Sequence, residues 1–233
     1  MERKYFKYGE TEIAHLKRRD KRLAAAIEKL GMPKRRVEPD LFRALVFSII
    51  GQQISTKAHD SIWRKMTDAL GEITPQSVLA TQPEDLRALG ISFRKIEYMR
   101  GAAEKIASGE FDIDALRKMT DDEVCEKLSE IKGVGKWTAE MLMLHSLRRP
   151  DVLSFGDFGI QRGLRMVYGH GKITRGLFEK YRKKYSPYGS VACIYLWAVA
   201  SGAIDGLKDP AEKQKPQPPR GKKPSAKKNT AGK

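Results

Sequence analysis

The chain has 233 residues and a formal net charge of +16, which gives room for one sizeable core and predicts an acidic polymer or surface as partner. Two cysteines, Cys125 and Cys193, are too few for a disulfide framework, a four-cysteine zinc site or an iron–sulfur cluster. The longest apolar run, residues 191–200, is too short to span a bilayer, and the first residues lack the apolar segment of a secretion signal. We therefore expect a water-soluble protein of a reducing compartment.

Apolar periodicity predicts helices in the first part of the chain. One amphipathic helix is expected over residues 10–31, a basic connector over residues 33–39 and a core helix over residues 41–50. Ser55 then caps a helix that Gly71 closes. Because no stretch of useful length alternates apolar and polar residues as a strand would, the expected fold class is all-α.

The next helices carry cations on their polar sides. Pro83 and the acids that follow it begin a helix that Gly90 ends, and a further helix is expected over residues 93–106. The cations of the second helix form either a DNA-facing rim or an ordinary solvated face, and we favour the solvated face. These cations are Arg94, Lys95, Arg100 and Lys105.

Residues 120–147 are predicted to form two helices joined by a glycine turn. Thr120 and Glu123 have the spacing of a capping box, which begins the first helix. Gly133 and Gly135 supply the backbone freedom that a sharp reversal requires before the second helix. The sequence therefore indicates a helical hairpin at this point.

The same turn is suited to a nucleic-acid phosphate. Amides without side chains approach an anion closely, and the N-terminus of the second helix favours negative charge. Lys132 and Lys136 flank the turn and would add positive charge for the same phosphate. A tight turn without a ligand is the simpler alternative, and the motif alone does not decide between the two.

The lengths of the segments before Asp157 allow its carboxylate to lie at the hairpin. A helix over residues 136–147 is about 18 Å long, and residues 148–156 can span about 30 Å when extended. The chain can therefore return and place Asp157 beside Trp137 at the hairpin end. Asp157 is also well suited to cap the next helix, which Gly169 ends, and one carboxylate can do both.

The remainder of the chain divides into an apolar and a basic part. Residues 172–188 mix cations with aromatic residues, which suits nucleic-acid backbone contacts or packing on one helix, and residues 190–201 form a buried helix with Trp197.

We assign residues 1–208 to one helical domain and residues 209–233 to a disordered basic tail. From Lys213 onward the chain has eight cations and no acid, which amounts to half of the net charge of +16. They should raise nonspecific, salt-sensitive DNA affinity, unless the tail serves solubility alone.

Several motifs, taken together, resemble one family over roughly residues 41–202. In chain order they are Gly51-Gln52-Gln53-Ile54-Ser55, Leu89-Gly90-Ile91-Ser92-Phe93-Arg94-Lys95, Ile131-Lys132-Gly133-Val134-Gly135-Lys136-Trp137-Thr138-Ala139, Asp157 twenty residues after Trp137, and Pro187-Tyr188 with Trp197. This set is similar to the helix-hairpin-helix (HhH-GPD) superfamily of DNA glycosylases, and within it to the 3-methyladenine DNA glycosylase II family.

The resemblance implies a fold and a reaction. The fold is an all-α, two-lobed glycosylase domain with its active-site cleft between the lobes, without the N-terminal β lobe of longer relatives. The reaction is the flipping and hydrolytic excision of alkylated purines, such as 3-methyladenine and 7-methylguanine, from duplex DNA in base excision repair. Asp157 would stabilise the oxocarbenium-like sugar and orient or deprotonate a water. Trp137 stands where bifunctional members carry a nucleophilic lysine, so no AP lyase activity is expected.

The resemblance also assigns the residues around the cleft. Aromatic faces attract a cationic alkylpurine, although core filling is the alternative for tryptophans. The expected pocket residues are Trp137, Trp197, Phe158 and Met141. Gln53 would fill the gap left by the flipped base, and a capping or solvent-facing glutamine is an equal alternative. The expected DNA-binding residues are Gln53, Gln52, Lys132, Gly133, Val134, Gly135, Lys136 and Thr138.

Two departures from the family pattern leave the lesion range open. Gly189 stands where the family often has arginine, and Met141 occupies a place that is often aromatic. The alternatives are a glycosylase of the same fold for deaminated or oxidised bases or mismatches, and a noncatalytic DNA-damage-binding protein. We expect no cofactor or metal, with a monovalent cation at the hairpin as an open alternative. We further expect a monomer that binds duplex DNA with damaged bases and no membrane. We expect it in the cytoplasm at the nucleoid, or in the nucleus if the source is eukaryotic.

Overall fold

A computed structural model describes residues 5–214, and this part of the chain is helical apart from an isolated β-bridge between Tyr5 and Arg36. Short 3-10 helices cover Asp114–Lys118 and Pro210–Gln214. The α-helices are α1 (Glu10–Arg19), α2 (Lys21–Leu30), α3 (Leu41–Gly51), α4 (Thr56–Leu70), α5 (Pro75–Ala80), α6 (Pro83–Ala88), α7 (Phe93–Ala107), α8 (Asp121–Ser129), α9 (Lys136–His145), α10 (Phe158–Tyr168), α11 (Arg175–Tyr185) and α12 (Gly189–Ala200). The all-α prediction is confirmed.

The helices form two lobes that share one continuous apolar core. Helices α3 to α9 pack on one another and are called the middle lobe below. Helices α1 and α2 pack instead against α10, α11 and α12, and these five are called the terminal lobe. The chain thus begins in the terminal lobe, builds the middle lobe, and returns through residues 146–157. Because Asp157 ends that return, it lies at the junction of the lobes.

Side-chain caps begin many of the helices, as the sequence indicates for Ser55, Thr120 and Asp157. The prediction of one helix over residues 10–31 is wrong, because Asp20 adopts an extended backbone and divides it. Its carboxylate accepts the backbone N–H groups of Arg22 and Leu23, each at 2.9 Å, and so caps α2.

Helix α5 was not predicted, although its sequence carries a signal for it. Thr74 and Ser77 form a capping box, with the Ser77 N–H at 3.1 Å from the Thr74 hydroxyl. Pro75 follows at the first helical position, where proline's missing N–H costs nothing. The short length of six residues leaves no apolar periodicity to detect.

The tight packing of α10 on α12 aligns the two helices that carry Asp157 and Trp197. Gly163 makes this possible, because a Cβ at that position would lie 2.4 Å from the carbonyl oxygen of Leu196. The backbones therefore approach more closely than side chains would allow, and α12 itself is buried along most of its length. This packing brings the start of α10 beside the side chain of Trp197.

The predicted tail boundary at residue 209 is too early. Asp209 is 3% exposed, and both of its carboxylate oxygens accept hydrogen bonds from the guanidinium of Arg165 on α10. This pairing lowers the pKa of the Asp209 carboxyl. The segment through Gln214 is thereby fastened to the terminal lobe, and the rest of the predicted tail, residues 215–233, lies outside the described residues.

Among residues 5–214, no helix combines the length and apolar character needed to cross a membrane.

Substitution of Asp209 tests the fastening of this segment. Asp209→Asn removes one partner of a buried ion pair and should lower the free energy of unfolding by about 3 kcal/mol, because the Arg165 charge stays buried without its counter-charge. Asp114→Asn is the control, since Asp114 pairs with Arg117 at the surface, where such pairs contribute about 0–1 kcal/mol. Urea unfolding measures both, and equal losses would contradict the assignment.

Candidate active site

Three N–H donors hold the carboxylate of Asp157. Its Oδ1 accepts the backbone N–H of Ile160 at 2.9 Å and the indole N–H of Trp197 at 2.9 Å. Its Oδ2 accepts the indole N–H of Trp137 at 3.0 Å. The residue is 8% exposed and begins α10 as its cap. The sequence-based placement of Asp157 beside Trp137 therefore agrees with the structure, and its capping of α10 does as well.

The two indoles reach Asp157 from different lobes. Trp137 lies in the first turn of α9, next to the hairpin turn of the middle lobe, and Trp197 lies near the end of α12 in the terminal lobe. Both are half-buried. A polar atom that is largely shielded from water is stable when hydrogen-bonded, and three donors meet that need here. The site is thus formed at the lobe junction from three separate helices.

Arg35, which the sequence analysis did not single out, lies over Trp197. Its guanidinium carbon is 4.4 Å from the centroid of the indole, within the range of a cation–π contact. One of its nitrogens is also 3.5 Å from Nε2 of His145, whose ring stacks near Trp197 with centroids 5.6 Å apart. Trp197 is therefore clamped by a cation and an imidazole in addition to its bond to Asp157.

His145 is neutral in this cluster. Burial lowers its pKa from 6.5 to about 3, and the charge of Arg35 acts in the same direction. Its Nε2 can then serve as acceptor for the guanidinium, while its backbone oxygen accepts the N–H of Glu38 at 3.0 Å. The histidine therefore supports the connector that carries Arg35.

Phe158 and Met141, the other two predicted pocket residues, differ in exposure. Phe158 is 74% exposed at the start of α10, and its ring faces the guanidinium of Arg165 at 5.7 Å. No ring pair joins it to either indole within residues 5–214. Met141 lies one turn beyond Trp137 and is 6% exposed. The structure therefore places Phe158 at the surface next to Asp157 and buries Met141 on the helix of Trp137, and their contact with a base stays a prediction.

The two glycines of the hairpin turn have different environments. Gly133 has a φ of 86°, and a Cβ there would lie 2.1 Å from the ring of Tyr98. Gly135 has φ −98° and ψ 177°, a conformation open to other residues, and a Cβ there would meet nothing within 4 Å. Gly133 is therefore required by the fold itself. Gly135 has no side chain that would keep a ligand away from the backbone N–H groups at the N-terminus of α9, and a helix N-terminus favours an anion.

Three residues predicted to bind DNA make internal hydrogen bonds at the hairpin. The Gln52 amide donates to the Gly133 carbonyl at 2.9 Å and to the Thr138 hydroxyl at 3.3 Å, and Thr138 is 2% exposed. Val134 is 5% exposed, and its N–H donates to the Ile131 carbonyl at 3.0 Å. These bonds support the hairpin, and contact of the three residues with DNA stays a prediction.

Gln53 occupies the tip of the turn between α3 and α4. It is exposed and has a φ of 56°, a left-handed conformation that is uncommon for a residue other than glycine. Lys95 stabilises this turn, since its ammonium donates to the carbonyls of Ile50 and Gln52, both at 2.7 Å. Lys95 was predicted to lie on a solvated face, and that interpretation is wrong because the ammonium caps α3.

Lys132 and Lys136 are both exposed beside the turn. Lys132 pairs with Glu97 of α7 at 2.6 Å, at the surface, where a phosphate can compete for it. Lys136 lines a separate cavity of about 240 Å³ together with Glu140 and Arg175. It therefore lies on a different side of α9 from Trp137, as the rotation of about 100° per helical residue requires.

Low pH tests the neutral state of His145. The pKa of His145 falls from 6.5 in the unfolded chain to about 3 in the folded chain. Below pH 6.5 the unfolded chain binds a proton that the folded chain does not, so the free energy of unfolding decreases as the pH falls toward 3. Between pH 7 and pH 5 this group should account for a loss of about 2 kcal/mol in the free energy of unfolding. Over the same pH interval, the free energy of unfolding of His145→Gln should decrease by about 2 kcal/mol less than that of wild type. Parallel pH dependence of wild type and variant in urea titrations would contradict it.

Comparison with known proteins identifies relatives of this chain. The chain is 31% identical over 171 residues to DNA-3-methyladenine glycosylase 1 of Schizosaccharomyces pombe, which covers 71% of this chain and 75% of the relative. A crystal structure of DNA-3-methyladenine glycosidase from Bacillus halodurans has 40% identity and a TM-score of 0.71, over 84% of this chain and 92% of that one.

A second solved structure contains DNA. It is the 3-methyladenine DNA glycosylase of Schizosaccharomyces pombe in complex with abasic DNA, with 26% identity, a TM-score of 0.77, and coverage of 82% of this chain and 97% of that one. The family model for the HhH-GPD superfamily matches residues 46–187, which includes the hairpin, both glycines, Trp137 and Asp157. The chain belongs to the HhH-GPD superfamily of base excision DNA repair proteins.

Proposed function

We propose that this DNA glycosylase excises alkylated purines from duplex DNA by hydrolysis, without cleaving the strand. The observation that carries the proposal is the carboxylate of Asp157, which three N–H donors orient at the junction of the lobes. A binding module that faces negatively charged DNA has no evident use for a carboxylate held in this way. A glycosylase needs one near the sugar from which the base departs.

The proposed chemistry follows from that position. As the flipped base leaves, the sugar develops positive charge, and Asp157 stabilises that charge through space. The same carboxylate orients a water for attack on the anomeric carbon and takes its proton as the new bond forms. The excised base leaves with the electron pair of the broken N-glycosyl bond. Because the N–H donors hold Asp157 before the substrate arrives, little reorganisation is required during the reaction.

The expected absence of lyase activity rests on the residue at position 137. A Schiff base with the sugar requires an amine near Asp157, and Trp137 stands there with its indole N–H on the carboxylate. The neighbouring Lys136 lies with Glu140 and Arg175 at the separate cavity of the hairpin. These positions support hydrolysis as the only step.

A second candidate function, a glycosylase for uncharged deaminated or oxidised bases, is favoured by one observation. The guanidinium of Arg35 already occupies a face of Trp197 at 4.4 Å. A cationic alkylpurine on that face would have to displace or tolerate this charge, whereas an uncharged base would not. The lesion range thus depends on how Arg35 behaves when a base enters, and a panel of lesions separates the two candidates.

The catalytic role of Asp157 is tested by single-turnover base release. Wild type should release 7-methylguanine and 3-methyladenine from methylated duplex, and Asp157→Asn should be slower by about a hundredfold or more, because the neutral amide does not stabilise the sugar cation. Duplex affinity should be retained. Asp60→Asn is the control, since it removes the charge of an exposed acid on α4.

Two outcomes would overturn this proposal. If neither protein releases any base, including uracil, hypoxanthine and 8-oxoguanine, while both bind duplex, the chain is a binding protein. If only uncharged lesions are released, the second candidate replaces the first. Strand cleavage at the abasic product by wild type would contradict the monofunctional assignment alone.

The glycine turn makes a separate prediction about DNA affinity. Gly135→Ala should fold with nearly unchanged stability, since its backbone is permitted and its Cβ meets nothing. It should bind duplex more weakly, by about tenfold, because a methyl group at the turn keeps a phosphate away from the amides. Gly133→Ala should instead unfold at lower temperature, because of its φ of 86° and the ring of Tyr98. Unchanged affinity of the Gly135 variant would contradict phosphate binding at this turn.

A further inference from the structure

A basic groove lies in the terminal lobe, away from the site described above. It has a volume of about 450 Å³ and is formed where the end of α1 and the start of α2 meet α10 and α11. Its lining contains five cations, one carboxylate and two tyrosines: Arg18, Arg19, Asp20, Lys21, Arg22, Tyr168, Tyr181 and Lys184. Five positive charges around one negative charge make it a site for an anion.

The one carboxylate does not neutralise the cations at the rim. Asp20 is buried, and its Oδ2 accepts the hydroxyl of Tyr168 at 2.7 Å and the ammonium of Lys184 at 2.6 Å. The cation that it pairs with is thus Lys184. Arg22 donates to the carbonyl of Tyr168 at 2.6 Å, so it is held at the groove by a neutral group.

Three of the cations have no acid partner in the part of the chain that the structure describes. Arg18, Arg19 and Lys21 are exposed, and none of them forms an ion pair within residues 5–214. They follow one another at the break between α1 and α2, where the extended conformation of Asp20 turns the chain. The break that the sequence analysis missed therefore places three free charges along one edge of the groove.

The groove is distant from the catalytic carboxylate. Asp157 caps the start of α10, whereas Tyr168 ends that helix in the floor of the groove. The eleven residues of α10 correspond to about 16 Å along the helix axis. The phosphates that the groove would hold are therefore not those beside Asp157. Since this length corresponds to about five base pairs along a duplex, they lie either on the flank of the duplex in the cleft or on a second duplex, and a test with the cleft filled separates the two.

From this geometry we infer that the groove binds the backbone of a DNA segment other than the one at the cleft. Arginine guanidinium groups bind phosphate oxygens in a bidentate manner, and backbone contacts of this kind do not depend on sequence. The inference rests on the family's DNA partner and not on the lesion chemistry. The protein would thus hold two DNA segments at once. One lies in the cleft, where its bases are examined, and the other lies in the groove and keeps the protein bound to DNA.

The inference is tested with the cleft already filled. The full chain is saturated with an unlabelled duplex that contains an abasic site, and a short labelled undamaged duplex is added while fluorescence anisotropy is followed. Arg18→Gln with Arg19→Gln is compared with Lys65→Gln with Lys118→Gln, which removes the same charge from exposed lysines elsewhere. Thermal unfolding of both variants establishes that each is folded.

The groove variant should bind the second duplex more weakly, by about fivefold or more at 50 mM salt. The slope of log affinity against log salt should also fall by about 1.8, which corresponds to two phosphates at 0.9 each. The lysine control should stay within about twofold of wild type. Base release at saturating enzyme should be equal for all three proteins, since these arginines lie outside the catalytic cleft.

Three results would overturn the inference. The first is that wild type with its cleft filled does not bind a second duplex. The second is that the groove variant and the lysine control weaken binding of the second duplex equally. The third is that polyglutamate at matched charge displaces the second duplex, which would assign the groove to an acidic protein segment. An absence of base release by wild type would contradict the proposed excision and leave the groove result intact.

Discussion

The carboxylate of Asp157 is the point on which the two lobes converge. Trp137 reaches it from the middle lobe, and Trp197 and the first turn of α10 reach it from the terminal lobe. A largely buried carboxylate is tolerated because each donor replaces a hydrogen bond to water. Its position therefore depends on how the lobes are packed, so changes far from the cleft that shift one lobe would also shift the reactive group.

The elements expected to face DNA are joined to one another in the same way. Gln52 bonds to the hairpin at Gly133, and Lys95 on α7 bonds to the turn that carries Gln53. Tyr98, on the same helix as Lys95, packs where a side chain of residue 133 would lie. The turn, the hairpin and α7 thus form one connected unit. A left-handed residue such as Gln53 persists when its surroundings determine its conformation, and these bonds supply such surroundings.

Much of the site could be predicted because its signals are local. Helix length and the reach of the return segment show that Asp157 can lie beside Trp137, and the structure places it there. The break at Asp20 was missed because apolar residues continue at helical spacing on both sides of it, which obscured the local cap that Asp20 forms with the N–H groups of Arg22 and Leu23. Arg35 was missed for a similar reason. Its contact with Trp197 joins parts of the chain that are brought together by tertiary packing alone.

The arrangement of the indoles also gives the protein an optical property. The chain has three tryptophans, and two of them donate their N–H groups to Asp157. The third, Trp63, lies on α4 beneath the guanidinium of Arg43, at 5.1 Å. Indole emission responds to a carboxylate hydrogen bond and to nearby charge. Two of the three indoles therefore report on the reactive centre, and entry of a base or water beside Asp157 should change the wavelength or intensity of the intrinsic fluorescence of the unlabelled chain.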